Sequence, residues 1–425
     1  MILGVIADDF TGATDVASML VRAGMHTVQV MGVPESGLPN ADAVVVALKT
    51  RTIAPADAVT QSVAALAALR TAGARQIYFK YCSTFDSTPQ GNIGPVIDAL
   101  MKALDTDFTI ACPAFPENGR TVFRGHLFVG DVLLSESGMR HHPLTPMTDA
   151  NLVRVLQAQT RRSVGLLRHD ALDEGVPATQ ARIAQLRADG VHVAVGDALN
   201  NTHLLTLADA CVDLPLITAG SGVALGLPPA YARRGWFTPQ VNAAQLDRLQ
   251  GPAAVLSGSC SQATNAQVAH WLSAGRAALK LDPLALHEGH QTVETVLSQA
   301  TQALAKGPIL VYATAEPQSV LAVQQALGVQ AAGNLVENAL ARIAHGLVAA
   351  GVRRLVVAGG ETSGAVVQAL GVQQLRIGSP ICPGVPWTQA VLPQQGGTVQ
   401  LALKSGNFGG VDFFELALQQ AGVVL

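Results

Sequence analysis

The chain begins with a stretch that predicts a strand, a polar loop and a helix, and it reads Met1-Ile-Leu-Gly-Val-Ile-Ala7-Asp8-Asp9-Phe10-Thr11-Gly12-Ala13-Thr14-Asp15. Apolar and small residues run to Ala7, and two carboxylates follow at once. Small residues around Gly12 then lead into a helical pattern that starts near Thr14. Open α/β sheets bind ligands at the carboxyl ends of their strands, so polar residues at this position predict a binding edge.

The same alternation of short β-rich runs and longer helical patterns continues along the chain, which is typical of βαβ units. Strands are predicted at residues 2–7, 27–30, 43–48, 76–80, 108–112, 164–167, 192–195, 216–218, 253–256, 309–313, 354–358, 374–377 and 399–403. Helices are predicted between them, for example at residues 14–23, 56–72, 93–104, 263–274, 335–349 and 364–370.

The length of 425 residues predicts two domains, because one domain usually contains about 100–200 residues. The pattern breaks between Pro228 and Pro252, in a stretch with Gly, Pro and an Arg-Arg-Gly-Trp run. We therefore expect an α/β protein with domains at residues 1–240 and 241–425, each a largely parallel sheet flanked by helices. An apolar fraction of 49% with only 4% aromatic residues suits strands that are buried on both faces.

Composition excludes several classes of protein. The net charge of −3 gives no electrostatic footprint for nucleic acid or an anionic membrane. No apolar run is long enough to span a membrane, and the N-terminus lacks the pattern of a signal peptide. The five scattered cysteines suit reduced thiols in the cytoplasm. Only 13% of residues are charged, which hints at a homodimer.

Asp8 and Asp9 lie where the first predicted strand ends. Neighbouring residues of a strand point to opposite faces, so one of the two carboxylates would face a given ligand. Such a carboxylate could bind a hydroxyl and act as a general base. The alternative is that Asp or Thr caps the helix. Two acids followed by Thr11-Gly12 exceed what a cap needs, and this favours function.

Cations and hydroxyls follow later strands of the first half. Arg51 lies in Lys49-Thr50-Arg51-Thr52, and a guanidinium can bind a carboxylate through two parallel hydrogen bonds. A solvated basic loop is the alternative there. A denser set, typical of a site for a polyhydroxylated acid, follows residues 76–80 and comprises Lys80, Ser83, Thr84, Asp86 and Ser87. A Ser/Thr turn that satisfies its own hydrogen bonds is the alternative. Arg120 adds a cation after the strand that ends at Cys112.

The second half carries three loops rich in small residues at strand ends. They are Ser257-Gly258-Ser259, Gly359-Gly360-Glu361-Thr362-Ser363-Gly364 and Lys404-Ser405-Gly406-Asn407-Phe408-Gly409. Small residues let the backbone approach a phosphate, and the N-terminus of a helix attracts negative charge. Tight packing of strand on helix also selects glycine, but three such loops in one half favour a nucleotide-phosphate site. The P-loop and Rossmann patterns are absent from the sequence.

The pair His141-His142 does not predict a metal site. Adjacent histidines cannot easily share one ion, and no carboxylate or cysteine spacing completes a ligand set. A role in the loop up to Pro143 is the simpler interpretation. We therefore expect no metal bound by protein side chains alone.

These segments together resemble the four-carbon acid sugar kinase family, in order and over essentially the whole chain. The resemblance rests on Ala7-Asp8-Asp9-Phe10-Thr11-Gly12 and on the three loops of the second half. Residues 80–95, 137–143 and 381–387 look closest to the branch that acts on 3-oxo-tetronates. The resemblance implies a sugar-acid-binding N-terminal domain and a nucleotide-binding C-terminal domain. It also implies transfer of phosphate from ATP, with Mg²⁺ on the nucleotide phosphates, to the 4-hydroxyl of the acid.

The implied nucleotide site is lined by Ser257, Gly258, Ser259, Gly359, Gly360, Glu361, Thr362, Ser363 and Gly406. Asp9 is the expected base or hydroxyl-orienting group, with Asp8 and Asp86 as rivals. Arg51 and Lys80, with Arg120, would hold the substrate carboxylate. Threonate or erythronate kinases of the same family are the main alternative. A sugar-acid-binding protein without catalysis and a sugar-acid lyase are alternatives from other classes.

Overall fold

The computed structural model describes residues 1–34, 37–142, 144–392 and 396–424. Packing divides the chain into two units, Met1–Ala244 and Gln245–Leu425. The elements of the first unit are β1 (Leu3–Ala7), α1 (Phe10–Arg22), β2 (Thr27–Met31), β3 (Ala43–Ala47), α2 (Pro55–Thr71), β4 (Gln76–Lys80), α3 (Ile93–Ala103), β5 (Thr109–Cys112), β6 (Arg120–Phe123), β7 (His126–Val129), β8 (Val132–Leu133), α4 (Leu152–Gln157), β9 (Val164–Leu167), α5 (His169–Asp173), α6 (Val176–Ala188), β10 (Val193–Gly196), α7 (Asn201–Ala210), β11 (Leu216–Ala219) and α8 (Leu227–Arg233).

A parallel sheet forms the core of the first unit, in the order β2-β3-β1-β4-β11-β5-β10-β9. The central strands β1, β3 and β4 are buried along their whole length, as expected for apolar runs covered by helices on both faces. A small antiparallel sheet, β6-β7-β8, lies outside this core and was not predicted from the sequence.

The second unit contains β12 (Ala253–Ser257), α9 (Gln262–Ser273), β13 (Ala278–Lys280), α10 (Pro283–His287), α11 (Val293–Ala303), β14 (Ile309–Tyr312), α12 (Pro317–Leu327), α13 (Val329–Ala349), β15 (Arg354–Ala358), α14 (Gly360–Ala369), β16 (Gln374–Cys382), β17 (Val385–Val391), β18 (Thr398–Lys404) and α15 (Phe413–Gln420). Its sheet has the order β13-β14-β12-β15-β18-β17-β16. The five strands β13, β14, β12, β15 and β18 are parallel to one another. Strand β17 pairs antiparallel with both of its neighbours, β18 and β16.

The core of the second unit combines aliphatic strand residues with a few large aromatic rings. Trp271 of α9 packs edge-on against Phe414 of α15, with their ring centroids 6.5 Å apart. Its indole N–H donates to the Ala277 carbonyl at 3.0 Å, so the buried polar atom is satisfied. The predicted α/β class is thus confirmed in both units, and β13 and β17 are strands that were not predicted.

No helix in the described part of the chain is long and apolar enough to cross a membrane. The five cysteines are all free thiols.

Candidate functional site

Strand register brings the predicted residues of the first unit to one edge of the sheet. Ala7 of β1 pairs with Ala47 of β3 on one side and with Lys80 of β4 on the other. Lys80 in turn pairs with Ala219 of β11. The chain therefore leaves all four strands at the same level. Asp8, Asp9, Arg51 and the loop after Lys80 start from this edge, as the sequence predicted.

Arg51 lies at the centre of an ionic network. Its Nε and Nη2 donate to the two oxygens of Asp8 at 2.9 and 2.8 Å. Nη2 also donates to Asp9 Oδ1 at 2.5 Å, and Nη1 lies 3.8 Å from Asp86 Oδ2. Asn92, which the sequence analysis did not single out, donates to the carbonyls of Thr50, Arg51 and Ile53 and so fixes the Arg51 loop. The guanidinium is therefore engaged by carboxylates of the protein itself.

The two neighbouring aspartates have opposite electrostatic environments. Burial raises the pKa of Asp8 above its ordinary value, although Arg51 opposes that rise. Burial also acts to raise the pKa of Asp9, but the Arg51 guanidinium and the Lys80 ammonium together hold it below its ordinary value. Asp9 is therefore the carboxylate of the pair that stays ionised more readily.

Asp9 also caps helix α1. Its Oδ1 accepts a hydrogen bond from the Gly12 N–H at 3.1 Å, and its Oδ2 accepts one from the Thr11 hydroxyl at 2.8 Å. A side chain at Gly12 would collide with Asp9 Oδ1 and would place its Cβ 2.6 Å from Lys80 Nζ. Glycine thus lets the carboxylate and the ammonium approach the start of the helix. Asp9 therefore caps the helix, as one of the two interpretations of the sequence predicted. A capping carboxylate can also contact a ligand, so the cap does not exclude a functional role.

The loop after β4 makes many of its hydrogen bonds within the protein. The Thr84 hydroxyl donates to Asp86 Oδ1 at 2.7 Å, and the Ser87 hydroxyl bonds with the Gln159 amide. Phe85 and Asp86 have φ angles of 64° and 33°, a left-handed conformation that is strained for residues other than glycine. Packing of the buried Phe85 ring on Tyr81, with centroids 5.4 Å apart, holds this turn.

A cavity behind this loop is too small for a sugar acid. It is lined by Asp8, Arg51, Asp86 and Ser87 among others and has a volume of about 10 Å³. That volume admits about one water molecule. Ser83 is half-buried on the same loop. Arg120, at the start of β6, donates to the Asn118 carbonyl, and its buried Nε has no hydrogen-bond partner among the residues that the structure describes.

In the second unit the three predicted loops also start at one level. Ser257 of β12 pairs with Ala358 of β15, which pairs with Lys404 of β18. A Cβ at Gly258 would collide with Thr362 Oγ1, and one at Gly406 would lie 2.6 Å from Ser259 Oγ. Gly359 has a φ of 127°, which favours glycine. The loops therefore pack so closely that glycine is required at their contacts.

The Gly406 carbonyl joins these loops. It accepts hydrogen bonds from the hydroxyls of Ser261 and Thr264 at 2.7 and 2.9 Å and from Lys404 Nζ at 2.8 Å. The side chain of Lys404 is fully buried, and burial lowers its pKa to about 8. Its ammonium donates to the Thr264 hydroxyl and to the carbonyls of Ser405 and Gly406.

A cavity of about 590 Å³ opens beside the loops. Small ligands and cofactors occupy clefts of about this size. Its polar wall contains the predicted residues Gly258, Ser259, Gly359, Gly360, Glu361 and Thr362. Ser257 and Ser363 lie beneath it as fully buried side chains, and the Ser257 hydroxyl bonds with that of Thr314 at 2.6 Å. Helix α14 begins at Gly360, so its N-terminus faces this wall.

The rest of the cavity lining is largely apolar, although Lys280, Asp282 and Glu337 also belong to it, and it was not predicted from the sequence. It is formed by residues of α10, α12 and α13 and the segment before α10, including Leu281, Pro283, Val320, Val323, Ala332 and Val336. A polar wall at helix N-termini and an apolar wall opposite suit a ligand with phosphates at one end and a flat ring at the other. A nucleotide has this form.

The histidine pair has a structural environment. The backbone N–H of Thr145 donates to His142 Nδ1 at 3.0 Å, and Pro143 lies outside the described residues. Across the described ranges, no group of three or more His, Cys, Asp or Glu side chains could hold a metal ion.

Comparison with known proteins identifies two different domains in the two halves of the chain. Residues 3–227 match a family described as a sugar-binding N-terminal domain, and residues 254–414 match one described as a nucleotide-binding C-terminal domain. A protein from Burkholderia multivorans named 3-oxo-tetronate kinase is 62% identical over 98% of this chain and 97% of its own length.

A crystal structure from Salmonella typhimurium LT2, described provisionally as a tRNA synthase, has a TM-score of 0.86 and 48% identity to this chain. It covers 98% of this chain and 99% of its own. A curated relative from the same strain, 48% identical over 97% of each chain, is named 3-oxo-tetronate kinase. From the two matched domains and these relatives over nearly the full length, the chain belongs to the four-carbon acid sugar kinase family.

Proposed function

We propose that this protein is a kinase that transfers the γ-phosphoryl group of ATP to the 4-hydroxyl of 3-oxo-tetronate. The observation that carries the proposal is identity of up to 62%, over nearly the whole chain, to curated relatives named 3-oxo-tetronate kinase. The first unit, with a boundary near residue 240, would bind the acid, and the second would bind ATP. A homodimer and a cytoplasmic location remain predictions.

The cavity of the second unit supports the nucleotide part of the proposal. Its polar wall would bind the phosphates through backbone N–H groups and the N-terminus of α14. Its apolar wall, which includes Val320 and Val336, would bind the base. The predicted residues Ser257, Ser363 and Gly406 would act from the floor and rim of this site by holding the loops.

Mg²⁺ is compatible with the cavity, because this ion usually binds through substrate phosphates and one or two carboxylates. Among the described residues, three carboxylates line the cavity, Asp282, Glu337 and Glu361, and Glu361 lies in the first turn of α14 beside the loops that would bind the phosphates. The ion would supply charge neutralisation on the phosphates. The side chains of the protein would position the two reactants.

The network in the first unit supports particular roles for its residues. Phosphoryl transfer needs an oriented hydroxyl more than a strong base. Asp9 stays ionised and would orient the 4-hydroxyl, with Asp8 and Asp86 as alternatives. Lys80 and Arg120 would bind the substrate carboxylate. Arg51 would contribute mainly by holding Asp8 and Asp9, since its donors already face them.

An assay of ADP release across acids and neutral polyols tests the proposal. We expect the highest kcat/KM for a 3-oxo-tetronate and values lower by orders of magnitude for tetritols and tetroses. Removing the substrate carboxylate would leave a buried cation unpaired, which costs more than a neutral hydrogen bond. Equal kcat/KM for a tetritol and its acid would rule out binding of the carboxylate.

Two further outcomes of this assay distinguish an error in the proposed substrate from an error in the proposed kinase activity. A clear preference for a threonate or an erythronate would keep the kinase and change the acid. No ADP release with any four-carbon acid would overturn the kinase itself. Lys80→Gln should raise the KM for the acid, whereas Lys102→Gln, an exposed position on α3, serves as the matched control.

A further inference from the structure

A second polar cluster lies beside Lys80. It consists of Asp15 and Ser18 on α1, Ser221 just after β11, and Arg120 on β6, and we call it the Asp15 cluster. Asp15 is 8% exposed, Ser18 1% and Ser221 0%. Within the part of the chain that the structure describes, Asp15 Oδ1 is the buried carboxylate oxygen that lacks a hydrogen-bond partner. Ser18 Oγ and Arg120 Nε lack one as well, and the buried Ser221 hydroxyl lies beside the Asp15 carboxylate.

Several contacts bring these groups together. Asp15 and Ser18 are three residues apart on α1 and share a face of that helix. Helix α1 packs against the turn Val223–Gly226, which directly follows Ser221. Burial raises the pKa of the Asp15 carboxyl, and the Lys80 ammonium, the Ser221 hydroxyl and the Arg120 guanidinium all oppose that rise. The cluster thus has two cations beside one carboxylate.

The backbone around Ser221 is held in place by its neighbours. The Tyr78 hydroxyl donates to the Gly220 carbonyl. A Cβ at Gly220 would lie 2.7 Å from the Pro113 carbonyl oxygen, and one at Gly222 would collide with that of Ala114. The segment is therefore packed against the end of β5 on both sides of Ser221.

A buried carboxylate oxygen without a donor is costly, and such groups call for a ligand or an ordered water. The other carboxylates near the strand ends differ from Asp15, because Arg51 supplies donors to Asp8 and Asp9. A hydroxyl of a sugar acid would donate to Asp15. The carboxylate of the same acid would pair with the cations on either side.

The chemistry of the substrate indicates which hydroxyl this is. A 3-oxo-tetronate has a carboxylate at C1, a hydroxyl at C2, a ketone at C3 and a hydroxyl at C4. The 4-hydroxyl receives the phosphoryl group, so the 2-hydroxyl is the remaining donor. It is attached to the carbon next to the carboxylate, and that carbon is the stereocentre of the molecule.

We infer that Asp15, supported by Ser221, binds the 2-hydroxyl of the acid and selects its configuration while Lys80 binds the carboxylate. This inference rests on the proposed function above. It assigns a specificity-determining residue to α1, separate from the Asp8–Asp9–Arg51 network.

The test compares kcat/KM for each enantiomer of 3-oxo-tetronate and for its 2-deoxy analogue, 4-hydroxy-3-oxobutanoate, in the full chain. The unaltered protein should prefer one enantiomer to the 2-deoxy acid by about 100-fold, as expected for a hydrogen bond to a charged group. Asp15→Ala should reduce this preference to within a few-fold while activity on the 2-deoxy acid persists. Ser221→Ala should reduce it partly.

Thr14→Val is the matched control. Thr14 is a buried residue of the same helix whose hydroxyl bonds to Phe10 and Gln29, so its loss should change stability and leave the preference intact. If Asp15→Ala does not fold, Asp15→Asn provides the same comparison and should weaken discrimination between the enantiomers.

The outcomes distinguish this inference from the proposed function. If the unaltered protein phosphorylates 3-oxo-tetronate and the folded Asp15 variants discriminate as it does, the inference is wrong and the kinase assignment stands. If the unaltered protein phosphorylates neither acid, both are wrong.

Discussion

Arg51 binds Asp8 through two parallel hydrogen bonds, from Nε to Oδ2 at 2.9 Å and from Nη2 to Oδ1 at 2.8 Å. The same Nη2 lies 2.5 Å from Oδ1 of Asp9. One guanidinium therefore supplies the positive charge for two neighbouring carboxylates at the end of β1. This arrangement makes Arg51 important for the stability of the first unit as well as for its site.

Arg51→Gln should lower the free energy of unfolding by about 3–5 kcal/mol, because it leaves the buried Asp8 carboxylate without its ion-pair partner and Asp9 with Lys80 alone. Urea unfolding followed by fluorescence measures this change. Arg22→Gln is the control, since the ion pair of Arg22 with Glu117 leaves the arginine side chain 42% exposed. Such a surface pair should contribute at most about 1 kcal/mol. Equal losses in the two variants would contradict the prediction.

Asp9→Asn should lower kcat by about 10²–10⁴-fold with little loss of stability. Asparagine also caps helices well, so the hydrogen bond from the Gly12 N–H can persist after the charge is removed. Steady-state kinetics measure the expected loss of kcat, and the melting temperature measures the expected retention of stability. A folded variant with near-normal kcat would move the hydroxyl-orienting role to Asp86.

Gly360→Val should raise the KM for ATP more than the KM for the acid. A Cβ at Gly360 meets nothing within 4 Å among the described residues, so the variant should fold, yet its side chain would enter the cavity proposed for the nucleotide. Titration calorimetry with a non-hydrolysable ATP analogue is the direct measurement. Gly138→Val, at another open position in the first unit, is the control. Unchanged affinity for the analogue in folded Gly360→Val would exclude this wall as the phosphate site. Ser363→Ala should also raise the KM for ATP, but by less than Gly360→Val.

Lys404 should make the second unit more stable as the pH rises from about 8 toward 10. Burial lowers its pKa from 10.5 to about 8, so above pH 8 the folded chain loses a proton that the unfolded chain keeps. The stability gained across the full interval is at most about 3 kcal/mol.

Urea unfolding of the unaltered protein and of Lys404→Met between pH 7 and 10 measures this gain. The difference in unfolding free energy between the two proteins should shift with pH in favour of the unaltered protein. Lys306→Met, at an exposed position, should show no such shift. A pH-independent difference for Lys404→Met would show that the ammonium is adequately solvated in the fold.

Much of the fold could be predicted because its strands are short, apolar and bounded by polar or small residues. The run Leu3–Ala7 and the run Ala43–Ala47 are clear examples. The segment Val385–Val391 was missed because Pro386 and Trp387 obscure a strand pattern, although an antiparallel partner on each side satisfies its backbone. The residues of the small sheet, such as Val132–Leu133, are too few to produce a recognisable period.

Where the loops of the candidate site lie could be predicted for similar reasons, whereas their ionic partners could not. Loops at strand ends can be recognised in a sequence from their glycine, hydroxyl and charged residues. The sequence does not reveal which charged residues pair with one another. The binding of Arg51 to Asp8 and Asp9 depends on side-chain geometry across β1 and β3. Asp15 was overlooked because a carboxylate in the second turn of a helix resembles any other helical residue. The apolar wall at Val320 and Val323 looked like an ordinary amphipathic helix.

The three hydrogen bonds on the Gly406 carbonyl have a consequence for how quickly ATP would bind to the proposed nucleotide site. With Ser261, Thr264 and Lys404 fixing that oxygen, the loop holds its conformation before any phosphate arrives. Little conformational entropy is then left to lose on association, and preorganised sites bind without a slow ordering step. The observed rate of association should therefore rise in proportion to ATP concentration without reaching a plateau set by loop rearrangement.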